Sequence, residues 1–254
     1  LSLRRQRQMC IRDRLKVTVL FISDIHLSPE RPEIFRAFSK FLSEHAKDVS
    51  ALYVLGDLFD AWIGDDDPSD LAANTKKALR EISDAGVELF IQRGNRDFTI
   101  GRKFSKDIRA TLIKDEHIVT SGQQSALVMH GDSLCTDDIE YQRFRRKSRN
   151  PIYRWCLINL PLKTRLGIAK KWRNDSASAT SNKAMDIMDV NEDAVLDVMK
   201  KHKITTLIHG HTHRPKIHEV SEGQRIVLGD WESQGWFVSM NKEGFSLESF
   251  PIEP

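Results

Sequence analysis

Five short apolar runs each end in a polar group able to hold a metal ion, and this repetition constrains the fold more than any other feature of the chain. The endings are Ser23-Asp24-Ile25-His26, Gly56-Asp57, Gly94-Asn95-Arg96-Asp97, His130-Gly131-Asp132 and Gly210-His211-Thr212-His213. Side chains so far apart in sequence can meet beyond the carboxyl ends of strands in an open α/β sheet, where ligands gather. The i, i+2 spacing of Asp24 with His26, and of His211 with His213, puts each pair on one side of an extended segment. The adjacent glycines let the backbone turn sharply and approach a ligand.

Between these endings, apolar runs alternate with amphipathic stretches, the pattern of an α/β or layered α-β-α fold. Strands are predicted at residues 17–23, 51–55 and 87–92. Ile34, Phe35, Phe38, Phe41 and Leu42 recur at helical spacing after Pro32, and Leu71, Ala78, Leu79 and Ile82 mark a second helix that Gly86 can end. The βαβ repetition argues for a substantially parallel core. Residues 117–120 and 125–129 flank Ser121-Gly122 as a hairpin, which makes the sheet mixed. Residues 133–190 break the rhythm with helical, basic text and are expected to form an inserted cap. Asn191 is expected to cap a helix leading to a strand at 205–208. Strands at 226–228, 236–240 and 245–250 close the chain, the last two joined by a turn at 241–244.

At 254 residues and 40% hydrophobic content the chain suits one large domain, expected to span 15–254. No run approaches the roughly 18 to 20 apolar residues that span a bilayer. Cys10, Cys135 and Cys156 form no metal-like pair and leave an odd thiol, which points to a reducing, cytoplasmic compartment. Residues 1–14 carry five Arg and one Asp without an apolar signal core, and are expected to be an extraneous or disordered leader. Residues 141–174 carry eleven Lys or Arg and no acid, so the remaining chain is markedly acidic. That basic segment calls for an anionic partner.

Imidazoles, carboxylates and an amide oxygen, with no thiolate, suit Mn, Fe or Zn. Seven ligands exceed the needs of one ion, whereas two ions sharing a carboxylate use them all and can promote displacement at phosphorus. The run endings resemble, in order, those of the calcineurin-like metallophosphoesterase family: Asp-x-His, Gly-Asp, Gly-Asn-(His or Arg)-(Glu or Asp), His, Gly-His-x-His. The resemblance implies a layered α-β-β-α fold with mixed sheets. It also implies that Asp24, His26, Asp57 and His213 hold one ion and Asp57, Asn95, His130 and His211 the other. The alternative for this chain is a non-catalytic scaffold, whose expected mark is erosion of these ligands; none is missing.

Many members of that family have histidine after the motif asparagine, where it protonates an alkoxide leaving group; here the residue is Arg96. A phosphate leaving group departs without much help from an acid, its conjugate acid having a pKa of about 6. Arginine cannot donate a proton near neutral pH, but its fork can clamp a second phosphate. Pyrophosphate cleavage is thereby favoured, although a surface salt bridge is the plainer reading of Arg96. In the basic segment, charges interleave with Phe144, Tyr153, Trp155, Leu166 and Trp172, which suits an anionic membrane surface or a lipid substrate. With Gly56-Asp57-Leu58-Phe59-Asp60-Ala61-Trp62 and Gly94-Asn95-Arg96-Asp97, the chain resembles the UDP-2,3-diacylglucosamine pyrophosphohydrolase family of lipid A biosynthesis. That resemblance implies two Mn ions, a UDP-diacylglucosamine lipid substrate and a peripheral place on the cytoplasmic face of the bacterial inner membrane. It implies catalytic roles for Asp57, Asn95, Arg96, His130 and His211, with Asn95, Arg96 and His211 against the phosphates. Asp138, Tyr141, Ser176, Thr180 and Lys183 would contact the rest of the substrate; Thr180 stands where that family has asparagine. For Asp138 and Ser176 the plainer alternative is a helix cap or polar surface. A soluble nucleotide-sugar pyrophosphatase with the same metals is the rival enzyme.

Overall fold

The computed structural model describes residues 18–182, 189–221 and 223–253, with the side chains of 173–182 excepted. In the first sheet, β1 (Val19–Ile22), β2 (Ala51–Leu55), β3 (Glu88–Gln92) and β4 (Ala110–Leu112) pair in parallel. Antiparallel strands β10 (Gln234–Asn241) and β11 (Gly244–Pro251) extend its β1 edge. The second sheet has the order β5-β6-β7-β9-β8. The hairpins β5 (His117–Ser121)/β6 (Gln124–Met129) and β8 (Lys216–Val220)/β9 (Gly223–Val227) flank β7 (Thr206–His209), which is parallel to both β6 and β9.

Alternation along each strand separates the layers. Leu20, Ile22, Leu52 and Val54 face the helices α1 (Pro32–Phe41), α2 (Asp70–Asp84) and α3 (Arg102–Asp107), where they pack with Phe38, Phe41, Leu79 and Phe104. Their neighbours Val19, Phe21, Tyr53 and Leu55 point the other way and meet Val128, Ile208 and Ile226 of the second sheet. Beyond that sheet, Leu127, Met129 and Leu207 pack under Val195, Val198 and Met199 of the C-terminal helix at Glu192–His202. The order is therefore α-β-β-α.

Helix ends follow the sequence. Pro32 occupies the first turn of α1, where its missing N–H is no loss. The Ser69 hydroxyl accepts from the Ala72 N–H at 3.2 Å to start α2, and Asn191 accepts from the Ala194 N–H at 3.1 Å to start the C-terminal helix. Between β6 and that helix the chain forms α4 (Ile139–Ser148), α5 (Pro151–Ile158) and α6 (Leu162–Asn182), so that the C-terminal helix is α7. Residues 133–138, read from sequence as part of the helical insertion, form turns that precede α4.

Three histidines outside the run endings are half-buried. His117 lies against the rings of Tyr53 and Phe90, His202 pairs with Glu116, and His218 sits opposite Arg225 on the neighbouring strand. His209, the last residue of β7, is fully buried.

Candidate active site

The polar endings converge because the loops after the strands continue to hydrogen-bond to one another. Asp24 N–H donates to Gly56 C=O at 3.1 Å, His26 N–H to Asp57 C=O at 3.0 Å and Gly210 N–H to His130 C=O at 2.9 Å. Asp97, fully buried, ties the β3 loop to the β2 loop by accepting from Gly94 N–H at 2.7 Å and Leu58 N–H at 2.9 Å. Close approach explains the glycines: a Cβ on Gly94 would collide with the Asp57 carboxylate, and one on Gly210 with that of Asp24. Asp24, His26, Asp57, His211 and His213 all have positive φ, between 53° and 70°. Such left-handed residues cost about 1–3 kcal/mol each in the strained cases, and their concentration here marks a functional centre.

All seven residues read as metal ligands meet in two adjoining groups. In the first, His213 Nε2 lies 3.2 Å from both His26 Nε2 and Asp24 Oδ1. In the second, Asn95 Oδ1 lies 2.8 Å from His130 Nε2 and 2.9 Å from His211 Nδ1, with Asp57 Oδ2 3.8 Å from His130 Nε2. Asp24, Asp57 and His130 are themselves close enough to share an ion, so the groups are continuous.

The donor chemistry fits divalent cations. His130 Nδ1 lies 3.0 Å from Leu55 C=O, which can only accept, so its proton sits there. Its Nε2 faces the Asn95 oxygen; burial works to lower His130, but the Asp57, Asp24 and Asp132 charges raise it, so a proton bridges the two atoms where a cation would take its place. Burial pushes the Asp57 carboxyl up to about 7, against the His130 charge and aided by Asp97 and Asp24. Burial also works to raise Asp24, but the hydrogen bond and charge of His213 hold it well below the usual range. His213 is raised to about 9: burial opposes this, and its hydrogen bond to Asp24 and the Asp24 and Asp230 charges prevail. Burial and the His130 charge lower His211 to about 3, leaving it a neutral ligand. A bound cation would ionise Asp57 and deprotonate His213.

Arg96 stands where the polar centre opens into a pocket. Its backbone N–H donates to Asp57 Oδ1 at 2.8 Å, its side chain pairs with Asp60, and Nε lies 3.9 Å from Asp57 Oδ2. The salt bridge entertained from sequence is therefore present, but at the rim of a cavity of about 420 Å³. Trp62, Ile63, Phe98, Phe144, Leu157 and Trp172 make its wall apolar. Phe98, Phe144 and Trp172 form a ring cluster with centroids 5.7–6.3 Å apart, joining the β3 loop to α4 and α6.

Tyr141 reaches the same cavity. Its hydroxyl donates to Asp132 Oδ2 at 2.9 Å and its ring lies 5.4 Å from that of His211. Asp138 caps α4 by accepting from Tyr141 N–H at 3.0 Å, the plainer of its two sequence readings. Ser176 and Thr180 fall on α6 with side chains outside the description, and Lys183 lies outside the described residues.

Sequence reasoning passed over three acids that shape this site. Asp97 and Asp132 stand inside the quoted run endings, so their position was a signal; Asp132 is fully buried and also binds Arg145 and Arg149. Asp66 had no such signal. It forms a bidentate pair with buried Arg165 of α6, at 2.7 and 2.5 Å, while Arg165 also donates to Ile63 C=O at 2.7 Å. This pair fastens one wall of the pocket to the core. Asp66→Ala is expected to raise KM severalfold with a smaller change in kcat, because it loosens the wall and leaves the polar centre intact. Steady-state kinetics check this.

A model of the calcineurin-like phosphoesterase family matches residues 17–215. A UDP-2,3-diacylglucosamine hydrolase of Pseudomonas fluorescens is 49% identical over 240 residues, covering 93% of this chain and 96% of the relative. One from Azotobacter vinelandii is 46% identical over 241 residues, covering 93% and 100%. A third, from Pseudomonas paraeruginosa, is 48% identical over 240 residues, covering 93% and 100%.

Proposed function

Because the chain belongs to the calcineurin-like phosphoesterase family, and within it to the UDP-2,3-diacylglucosamine hydrolases, we propose that it hydrolyses the pyrophosphate bond of UDP-2,3-diacylglucosamine, releasing UMP and 2,3-diacylglucosamine 1-phosphate in lipid A biosynthesis. The observation that carries this reading is the junction at Arg96. A buried, metal-type centre opens there into an apolar cavity, as a substrate with phosphates at one end and acyl chains at the other requires.

Asp24, His26, Asp57 and His213 would hold one divalent ion and Asp57, Asn95, His130 and His211 the other, with Asp57 shared. The two ions, for which we propose manganese, would supply an activated water and neutralise charge on the phosphates. Arg96 clamps the second phosphate, which needs no proton to leave, and Asn95 and His211 flank the phosphate undergoing attack. The aromatic wall takes the acyl chains and keeps water from them. Tyr141, which lines the cavity, would contact the glucosamine side, and the family resemblance assigns Asp138, Ser176, Thr180 and Lys183 to the remaining contacts. Residues 133–190 act as a cap inserted into a domain spanning 15–254.

No helix among the described residues is long and apolar enough to cross a membrane. Ile152, Trp155, Ile158 and Leu166 are nonetheless exposed on α5 and α6 in the basic segment. These support docking on an anionic bilayer surface, the cytoplasmic face of the inner membrane.

Metal-stripped protein given UDP-2,3-diacylglucosamine in mixed micelles should release no UMP, and added Mn²⁺ should restore release. UMP release that persists after verified removal of metal would refute the two-ion reading.

A further inference from the structure

A second polar cavity lies on the outer face of the second sheet. On that face α7 packs over β6 and β7, its apolar cluster reaching β8 at Val220. There a cavity of about 280 Å³ is lined by Thr212, Arg214, Lys216, His218 and Arg225, with Asp189 the one acid in its wall among the described residues. Arg214 pairs with Asp189. Lys216 and His218 share a face of β8, and Arg225 is the register partner of His218 on β9. Burial and the neighbouring Arg225 and Lys216 charges lower the His218 pKa, so the cationic groups of this wall are the Arg and Lys side chains.

Two groups in this wall are incompletely satisfied. Arg225 is 9% exposed, and its hydrogen bond among the described residues goes to Nε2 of His209, at 3.3 Å. His209 Nδ1 lies 2.8 Å from Gly210 C=O and donates to it, so Nε2 is the acceptor and the ring is neutral. Among the described residues no carboxylate hydrogen-bonds this guanidinium, and Asp189 and Glu192 act on it only through their charge. Burial accordingly lowers the Arg225 pKa despite the charges of Asp189 and Glu192. The second group is the Thr212 hydroxyl, buried without a hydrogen-bond partner among the described residues.

We propose that this cavity is a second anion site, separate from the metal centre, which binds a phosphate-type dianion through Arg225, Lys216 and the Thr212 hydroxyl. A planar guanidinium, an ammonium and a hydroxyl offer the fork, charge and neutral donor by which phosphate oxygens are held. Thr212 separates His211 from His213, so the anion would sit behind the loop that carries two residues of the active site.

The test is equilibrium dialysis of the metal-loaded chain against radiolabelled inorganic phosphate, comparing wild type with Arg225→Gln and Lys216→Gln. Wild type should show two classes of site. Arg225→Gln should weaken one class about tenfold or more, the effect of losing a charge-assisted hydrogen bond, and Lys216→Gln should weaken the same class severalfold. Binding at the metal centre should persist in both. Lys216 is exposed on its strand, so that variant keeps the test open if Arg225→Gln does not fold. A single class of site in wild type, or wild-type binding in Lys216→Gln, overturns the proposal. Competition by UMP or by glycerol 3-phosphate then distinguishes a nucleotide from a lipid headgroup as the source of the phosphate.

Discussion

Asp57→Ala is expected to lose both metal ions and turnover together, with kcat falling by about a thousandfold or more. Asp57 is 2% exposed and lies beside both groups of candidate ligands, so its removal would take one anionic ligand from each proposed ion. Loss of one stabilising donor in an active site costs about 10²–10³ in rate; loss of a bridging carboxylate removes the shared anchor of two cations. The substitution also strips the acceptor from the Arg96 N–H, so Asp57→Asn, which retains an acceptor, separates loss of metal from loss of loop geometry. Metal analysis of the purified variants, beside their thermal melting, measures both. Near-normal activity with two ions per chain in Asp57→Ala would remove Asp57 from the bridge.

Arg96→Ala should behave differently, lowering kcat by about 10²–10³ while both ions stay bound. The guanidinium supplies no metal ligand; it sits beside Asp60 at the mouth of the apolar cavity, where a second phosphate would arrive. Arg96→Lys should recover little of the loss, because an ammonium keeps the charge but not the planar fork. Loss of metal in Arg96→Ala, or full rescue by lysine, would contradict the clamp.

Much of this arrangement was legible in the sequence, for identifiable reasons. Residues 51–55 form a strand as predicted because their run is buried on both faces and bounded by Ser50 and Gly56. The hairpin around Gly122 and the Asn191 cap also stand where turn and cap chemistry put them. Strand β8 was missed because it is an edge strand whose Lys-Ile-His-Glu-Val text is largely solvated, and β4 because three residues are too few for a period. Division into two sheets was implied only by resemblance. Alternation tells which residues share a face, but not whether Phe21 and Val128 face each other from different sheets.

The site shows the same boundary. The seven positions proposed as ligands were readable as a converging set because each ends an apolar run, and the structure brings those endings together from both sheets. The pocket was not readable, since Phe98, Phe144 and Trp172 come together only through the placement of α4 and α6, and the Asp66–Arg165 pair spans 99 residues with no local sign. Sequence could name the residues that meet, but only the fold shows what lies beside them.

The most direct test of the account compares UMP release from UDP-2,3-diacylglucosamine with release from the deacylated UDP-sugar, using the same Mn-loaded protein. The apolar cavity beside Arg96 predicts a much higher kcat/KM for the acylated substrate. Equal hydrolysis of both, or of neither, would contradict the assignment.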